Sequence, residues 1–340
     1  MNPAPRVHIA RLNSDFKQKI EECLSGIGFF ENYLKGSRIF IKPNLTFPEY
    51  RPGVMTSMEA LTAAAEVLLD HGYRVTIGEA EGGGYNQFSM DAVFEAIGLR
   101  KFAAKTGIPL VNISFTEPEI LKVRKGLRTV NVPVPKLLLH ETDVFITMPV
   151  PKIHMNTLIS VSIKNQWGCI QAPVERLRLH PFFQEVMYEV NRQLPQAHSI
   201  VDGSVGLTRS GPMRGDSIPL NWVLASNDLI TADRIVARLM QIPEEKVPYL
   251  RYFRRKGWWP SMDAVQINQS LDPFISNKFY LKREWTDLPG YACFNNSFLA
   301  WLGYHSPLAG FAHWLLYLFR EPFYDHKKER QKLKSESCAS

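Results

Sequence analysis

Cysteine is scarce in this chain of 340 residues, and the four that occur (Cys23, Cys169, Cys293 and Cys338) are far apart. No C-x-x-C pair is present, so a zinc or iron–sulfur site made from neighbouring cysteines is not expected, nor is a disulfide scaffold. The N-terminal residues also lack the apolar run of a signal peptide. We therefore expect a protein of the reducing cytoplasm that carries no cysteine-ligated iron–sulfur cluster.

Nucleic-acid recognition has little support in the charge pattern, although the formal net charge is +7 and the sequence pI is about 9.1. Many basic residues fall in Arg251–Lys256 and Lys327–Lys334, and neither stretch has the interleaved pattern of a nucleic-acid reader. Hydrophobic residues make up 45% of the chain and charged residues 21%, which excludes general disorder and a polytopic membrane protein.

Strands and helices alternate along the first half of the chain. This alternation predicts an α/β fold with a mostly parallel sheet and helices on both faces. The predicted strands are Val7–Leu12, Arg38–Lys42, Arg74–Gly78, Pro109–Ile113, Val144–Met148, Ser199–Asp202 and Trp222–Ala225. The predicted helices are Phe16–Leu34, one opened by a capping box at Thr56-x-x-Glu59, Phe88–Ile97, Phe182–Leu194 and Asn227–Met240.

The segment Phe298–Phe319 contains no Lys, Arg, Asp or Glu and is rich in aromatic residues, yet Gly303, Pro307 and Gly310 interrupt it. It is long enough to span a bilayer but too interrupted for a confident span. Three interpretations remain: a helix pair packed on the core, a hairpin lying in the membrane interface beside a basic tail and, least favoured, a true membrane span. We predict an α/β domain over 1–295, with a division into two lobes near 150–200 as an alternative. An apolar helical extension over 296–325 and a basic disordered tail over 326–340 follow.

Polar residues follow three of the predicted strands, where an open α/β sheet places its ligands. In the first cluster, Lys42 and Asn44 flank Pro43 directly after a strand. A lysine at this place presents a positive charge to an anion, and an asparagine offers both a donor and an acceptor. A solvated lysine at a strand end is the simpler alternative.

The second cluster is the glycine-rich stretch Gly78–Gly84, which contains Glu79, Glu81 and Gly82. Its glycines would let backbone amides face a ligand. The stretch matches neither the dinucleotide fingerprint nor the P-loop. Glu79 and Glu81 could hold a hard cation, or they could be solvated acids of a flexible turn.

The third cluster is the densest, because Lys152, His154, Lys164 and Asn165 fall within a short stretch after the strand Val144–Met148. Histidine exchanges protons near neutral pH, and a lysine close to another cation can have its pKa lowered into a catalytic range. We expect a site here, with Lys164 on a helix rather than a strand.

Further acids follow in Asp202-Gly203 and in the helix Asn227–Met240. Asp228 is predicted to cap that helix. Asp233 lies on its apolar stripe, so it is expected either in a core ion pair or as a residue that orients the site.

These motifs, in this order, resemble the family described as domain of unknown function 362. The matching elements are Lys42-Pro43-Asn44, Gly78-Glu79, Pro149-x-x-Lys152-x-His154, Ser162–Gly168, Asp202-Gly203, Gly211-Pro212, Asp228–Met240 and Pro248–Arg251. The resemblance covers roughly Arg38 to Asn268 and implies an α/β protein. Many members carry a ferredoxin-like iron–sulfur module, but this sequence has no C-x-x-C-x-x-C run.

We predict an enzyme that binds a small anionic ligand, a carboxylate or a phosphate. His154, Lys152 and Lys164 are its candidate catalytic residues, and no metal ligand is assigned. The candidate binding residues are Lys42, Asn44, Glu79, Gly82, Asn165, Asp202 and Gly203. The alternative is a ligand-binding or delivery protein held at an anionic membrane surface through residues 298–334. A redox or metal protein is the weaker alternative.

Overall fold

The structure, a computed structural model, describes residues 4–13, 15–82, 88–171 and 173–319. Its strands are β1 (Arg6–Arg11), β2 (Arg38–Lys42), β3 (Arg74–Glu79), β4 (Leu110–Asn112), β5 (Pro118–Lys125), β6 (Arg128–Pro135), β7 (Val144–Thr147), β8 (Lys152–His154), β9 (Leu158–Ser160), β10 (His198–Thr208), β11 (Asp216–Ser226) and β12 (Gln266–Ile267). Its α-helices are α1 (Phe16–Gly26), α2 (Phe29–Asn32), α3 (Met58–Asp70), α4 (Met90–Ala96), α5 (Leu99–Thr106), α6 (Lys136–His140), α7 (Ser162–Asn165), α8 (Pro173–Leu179), α9 (Phe183–Gln193), α10 (Leu229–Leu239), α11 (Pro248–Arg255), α12 (Leu288–Asn295), α13 (Ser297–Tyr304) and α14 (Ala309–Tyr317).

One mixed sheet organises the fold, with strand order β12-β1-β11-β10-β7-β2-β3-β4. The pairs β12–β1, β10–β7, β7–β2, β2–β3 and β3–β4 are parallel, whereas β11 runs antiparallel to both of its neighbours. The prediction of a mostly parallel α/β sheet is confirmed. The antiparallel pairing of β11 was not predicted. β10 and β11 form a long hairpin whose turn is rich in Gly and Pro.

Both faces of the sheet are covered, as the alternation of side chains along β2 illustrates. Ile39 and Ile41 point to one core, packed mainly by α1, α3 and α4, while Phe40 points to the other, packed by α9, α10 and α11. Apolar residues on both faces of a central strand require cover on both sides, which explains the nearly continuous apolar runs of the parallel strands.

The predicted helix Phe16–Leu34 is divided into α1 and α2. Gly28 lies between them with φ of 74°, a left-handed conformation that a continuing α-helix does not permit. The amphipathic pattern continues through this break, which is why periodicity alone predicted one helix.

The predicted capping box at Thr56 is wrong by one residue. Ser57 is the N-cap of α3, and its hydroxyl accepts a hydrogen bond from the Ala60 amide. The Thr56 hydroxyl instead donates to the carbonyl of Met148 and accepts from the Asn44 amide. Thr56 therefore ties the loop after β2 to the end of β7.

The apolar segment forms α13 and α14, and α12 precedes them. Arg283 Nε donates to the Met155 carbonyl at 2.9 Å, and Asn295 Nδ2 donates to Asn156 Oδ1 at 3.2 Å. These bonds hold the C-terminal helices over the loop after β8. Within the described ranges no helix is long and apolar enough to cross a bilayer. The predicted tail 326–340 lies outside the described residues.

Candidate functional site

Lys42 and Glu79 form a buried ion pair at the ends of two adjacent strands. Lys42 closes β2 and Glu79 closes β3, so parallel pairing brings them to the same edge of the sheet. Lys42 Nζ lies 2.6 Å from Glu79 Oε2 and 3.0 Å from the Pro43 carbonyl oxygen. Both side chains are almost fully buried. Lys42 is therefore a buried member of an ion pair within the site and not a solvated lysine.

The loop after α7 packs directly against this pair. A Cβ on Gly168 would lie 2.5 Å from Glu79 Oε1 and 2.7 Å from Lys42 Nζ, so only glycine fits without displacing the two charges. Asn165 Oδ1 is 3.5 Å from Lys42 Nζ, and its Nδ2 donates to Thr147 Oγ1 at 2.8 Å. The second and third sequence clusters therefore meet around Lys42.

The carbonyl of Val54 joins two other predicted residues. Asn44 Nδ2 donates to it at 3.0 Å, and Lys152 Nζ donates to it at 2.6 Å. This shared acceptor places the Lys152 ammonium beside the loop that follows β2. Lys152 is itself buried on β8, which extends the sheet beyond the end of β7.

A cavity of about 950 Å³ lies above these residues. Its polar floor holds most of the predicted site together with two residues that were not predicted, Arg176 and His180. The predicted residues that line it are Lys42, Asn44, Glu79, Gly82, Lys152, His154, Lys164 and Asn165. Its roof comes from α12, α13 and α14, so the floor and the roof differ sharply in chemistry.

Two lysines of the floor have strongly lowered pKa values. Burial, with the positive charges of Lys164 and Lys42, lowers the pKa of Lys152 to about 7. Burial, with the charges of Arg176 and Lys42, lowers the pKa of Lys164 to about 7. The Lys164 ammonium lies 5.2 Å and 5.7 Å from the ring centroids of Phe183 and Trp167. Each lysine is thus poised between its two protonation states near neutral pH.

His154 is held as a neutral hydrogen-bond donor. Its Nδ1 accepts from the Asn156 amide at 3.1 Å, which leaves the ring proton on Nε2. Burial, together with the charges of Lys164, His180 and Lys152, lowers the pKa of His154 well below its usual value. His154 can donate from Nε2 to a ligand, and protonation to imidazolium near neutral pH is strongly opposed.

Arg176 and His180 belong to the floor but were not predicted from the sequence. Arg176 is buried, one of its terminal nitrogens donates to the Glu81 carbonyl, and its Nε has no partner among the described residues. Burial lowers the pKa of Arg176 to about 10 and that of His180 to about 3. The run Glu175–Arg178 is typical of an exposed helix face, and the Glu175–Arg178 pair is exposed. That pattern concealed the buried arginine between them.

Asp233 positions the short helix that carries Lys164. Its Oδ1 accepts from the Ser162 amide at 2.7 Å, and its Oδ2 accepts from the Tyr249 hydroxyl at 2.7 Å. Burial raises the pKa of Asp233 to about 7, against the opposing effect of these hydrogen bonds. Of the two roles left open, the geometry agrees with a residue that orients the site. Asp228 caps α10, as predicted.

Asp202 and Gly203 do not line the cavity. Asp202 Oδ2 accepts from the Ser57 amide at 2.8 Å, and Oδ1 accepts from the Ser204 hydroxyl at 2.6 Å. A Cβ on Gly203 would lie 2.2 Å from the ring of Trp222. The structure therefore gives both residues contacts that support the fold. Gly83 and Gly84 of the second cluster fall outside the described residues.

No group of three metal-ligating side chains occurs in the part of the chain that the structure describes. Glu79 pairs with Lys42, and Glu81 accepts from Asn112 Nδ2 at 3.1 Å. The two acids therefore have separate partners. Cys23, Cys169 and Cys293 are free thiols, and burial raises the pKa of Cys169 to about 12.

Comparison with known proteins gives one curated relative. Thylakoid-associated protein sll1697 of Synechocystis sp. is 25% identical over 249 residues, which is 71% of this chain and 74% of the relative.

Two solved structures also resemble the chain. The lactate racemase apoprotein of Thermoanaerobacterium thermosaccharolyticum matches with a TM-score of 0.42 and 11% identity over 71% of this chain. A protein from Thermotoga maritima matches with a TM-score of 0.45 and 12% identity over 66% of this chain. The chain spans only 58% of each. At this level of similarity, neither structure bears on the function of the chain.

Family assignment rests on a match to a family model that includes most of the cavity floor. The model of the family described as domain of unknown function (DUF362) matches residues 39–238, which is more than half of the chain. The matched range includes Lys42, Glu79, Lys152, His154, Lys164 and Arg176. The resemblance found in the sequence is thereby confirmed, and the protein belongs to the DUF362 family.

Proposed function

We propose that the protein is an enzyme that binds a small carboxylate or phosphate anion on the floor of the cavity and exchanges a proton with it through Lys164. The observation that carries this proposal is the convergence of the buried side chains of Lys152, Lys164 and Arg176 on one cavity. Cationic groups that are buried near one another repel, and a bound anion relieves that repulsion.

The balance of charge around the floor supports an anion rather than a cation. Lys42 is neutralised by Glu79, and Glu81 is the other carboxylate that lines the cavity. Lys152 and Lys164 have no carboxylate within ion-pair distance among the described residues. The unpartnered Nε of Arg176 adds a buried donor, whose desolvation costs free energy until it is paired.

Lys164 suits proton exchange better than His154. With a pKa of about 7, Lys164 is present in both protonation states near neutral pH, as an acid–base catalyst requires. The pKa of His154 is far lower, which suits a neutral donor that orients the anion from Nε2. Lys152 and Arg176 then bind the negative charge of the anion, and the Lys42–Glu79 pair fixes the position of the cavity floor.

Calorimetric titration with inorganic phosphate and with acetate tests the proposal. We expect one site, and Lys164→Met should weaken binding by about tenfold or more, since charged hydrogen bonds contribute about 1.5–3 kcal/mol. Lys101→Met, at an exposed position of α5, is the matched control and should change nothing. Equal affinities for both variants and the unmodified protein would contradict the proposal. Once a substrate is identified, unchanged turnover in His154→Gln would remove His154 from the mechanism.

We also propose that the C-terminal helices attach the protein to an anionic bilayer surface. Phe298, Trp301, Trp314 and Leu318 are exposed and do not line the cavity, so they form an outer apolar surface. Aromatic residues of this kind favour the membrane interface, and the basic stretch Lys327–Lys334 follows in the sequence. The relative named as thylakoid-associated agrees with this proposal.

Co-sedimentation with phosphatidylglycerol vesicles tests the attachment. The double variant Phe298→Ser/Leu318→Ser removes side chains that are 65% and 58% exposed. Phe115→Ser/Leu127→Ser, at positions 76% and 97% exposed elsewhere on the molecule, removes the same side-chain types. Only the first variant should leave the vesicle pellet. Equal behaviour of the two variants would contradict membrane attachment through the C-terminal helices.

A further inference from the structure

The cavity is larger and more apolar than a small anion needs. Ligand pockets usually measure about 300–1,000 Å³ and enclose most of a drug-sized molecule. At about 950 Å³ this cavity is at the upper end of that range. Phosphate or acetate bound to Lys164 would occupy only the floor. The remaining volume lies under side chains with no charge: Leu299, Leu302, Leu308, Phe311, Leu315 and Leu316.

A row of rings leads from the floor into this apolar part. His180 stacks on Phe294 with centroids 4.0 Å apart, and Phe294 stacks on Tyr304 at 6.1 Å. Tyr304 lies 5.8 Å from His313, which lies 6.3 Å from Tyr317. All five line the cavity. The row starts beside the cationic side chains and ends on α14, so one elongated ligand could contact both.

The apolar part of the cavity continues to the surface of the molecule. Leu308, Phe311 and Phe319 line the cavity and are each more than half exposed. They adjoin the outer apolar surface defined above. Among the described residues, the charged side chains that line the cavity all lie at its floor, so a hydrocarbon chain could enter at the C-terminal helices without passing them.

We propose that the ligand of this cavity is an anionic amphiphile, with a phosphate or carboxylate headgroup at Lys152, Lys164 and Arg176 and a hydrocarbon chain along the roof formed by α12, α13 and α14. This inference rests on the proposed anion site and specifies its ligand class. A polar floor joined to an apolar roof in one cavity requires a ligand with both properties, because a purely polar or purely apolar ligand would leave the other part of the cavity without a matching contact.

A chain-length series measured on the unaltered protein tests this inference without any substitution. We would titrate inorganic phosphate, hexyl phosphate and dodecyl phosphate below their micelle-forming concentrations, with acetate, hexanoate and dodecanoate in parallel. Each methylene buried in the roof should tighten binding by about threefold to fourfold until the chain fills the cavity. Dodecanol, which lacks the anionic group, should bind much more weakly than dodecyl phosphate.

Two variants test the contributions of the floor and the roof to binding separately. Lys164→Met should weaken all anions of the series alike. Ala292→Trp, which adds a large side chain to the roof, should weaken dodecyl phosphate by at least about tenfold and leave inorganic phosphate unchanged. Lys101→Met and Ala104→Trp, both at exposed positions of α5, are the matched controls.

The outcomes distinguish the two proposals. If phosphate binds through Lys164 but affinity is independent of chain length, the amphiphile inference is overturned and the anion site stands. If dodecanol binds as tightly as dodecyl phosphate and Lys164→Met has no effect, the headgroup assignment and the proposed function both fail. If no member of either series binds, both fail as well. Affinity that rises with chain length and falls in both cavity variants supports the inference.

Discussion

Lys42 Nζ lies 2.6 Å from Glu79 Oε2, where the two residues end adjacent parallel strands and neither side chain reaches solvent. Taking both charges out of water is costly, and their attraction offsets that cost only while both are present. The pair therefore makes the cavity floor rigid but sensitive to loss of either partner. Gly168 and Asn165 pack on it, so damage here extends to the short helix α7, which carries Lys164.

Removing one partner should destabilise the fold strongly. Lys42→Met leaves Glu79 buried without its ion pair, and we expect the free energy of unfolding to fall by about 3–5 kcal/mol. Urea denaturation measures the change. Arg38→Met, on the same strand, breaks an exposed ion pair with Asp143 and should cost at most about 1 kcal/mol. Similar losses in the two variants would contradict the buried-pair interpretation.

The close approach at Gly168 gives a second prediction. Gly168→Ala places a methyl group within 3 Å of both charged side chains, so the pair or the loop must shift, and we expect a loss of about 1–3 kcal/mol. Thermal denaturation would measure the loss of stability, and a phosphate titration would show whether the shift reaches the anion site. Gly310→Ala is the control, because no described residue lies within 4 Å of its added Cβ and alanine favours the helix α14. Unchanged stability in Gly168→Ala would contradict the prediction and would mean that the loop can move without cost.

Asp233 should make stability depend on pH. Its pKa is about 7 in the folded protein, above the ordinary value of 3.8, so the folded state retains a proton that the unfolded chain loses. The free energy of unfolding should therefore fall as pH rises from about 4 to about 7, by at most about 1.4 kcal/mol per pH unit, and then level off.

Urea denaturation of the unaltered protein and of Asp233→Asn between pH 4.5 and 7.5 isolates this effect. The difference between the two free energies should shrink as pH rises, because the asparagine does not titrate. Asp263→Asn, at an exposed position, is the control variant. Parallel curves for Asp233→Asn would show that this carboxyl is ionised throughout.

Anion binding should depend on pH through the two floor lysines. Lys152 and Lys164 titrate near pH 7 when the cavity is free, so above that pH an anion must bind together with protons. Sulfate, which does not titrate in this range, should bind up to about tenfold more weakly per pH unit for each lysine involved.

Calorimetry in buffers with different ionisation enthalpies counts the protons directly. Uptake should approach two protons per sulfate near pH 8.5 and vanish near pH 5.5. Lys164→Met should reduce the uptake at pH 8.5 by about one proton, while Lys101→Met should leave it unchanged. Sulfate binding without proton uptake would remove the two lysines from the anion site.

Local side-chain patterns were enough to predict the layers of the fold and the positions of most residues on the cavity floor. Apolar strands and amphipathic helices follow from local side-chain periodicity, and polar residues at or shortly after the carboxyl ends of β2, β3 and β7 must reach one edge of a parallel sheet. That pattern alone predicts that Lys42, Glu79 and Lys152 lie near one another. It failed where the backbone overrode periodicity, as at Gly28.

Contacts between segments far apart in the chain determine which polar residues face the cavity and which residues cover it. Asp202 ends a predicted strand just as Lys42 does, yet it lies inside β10, accepts a hydrogen bond from the Ser57 amide and does not line the cavity. Arg176 looks like part of an exposed helix face and is buried. The apolar roof comes from residues more than a hundred positions after Lys164. Burial, charge coupling and ring stacking arise from packing between distant segments, and no local pattern encodes them.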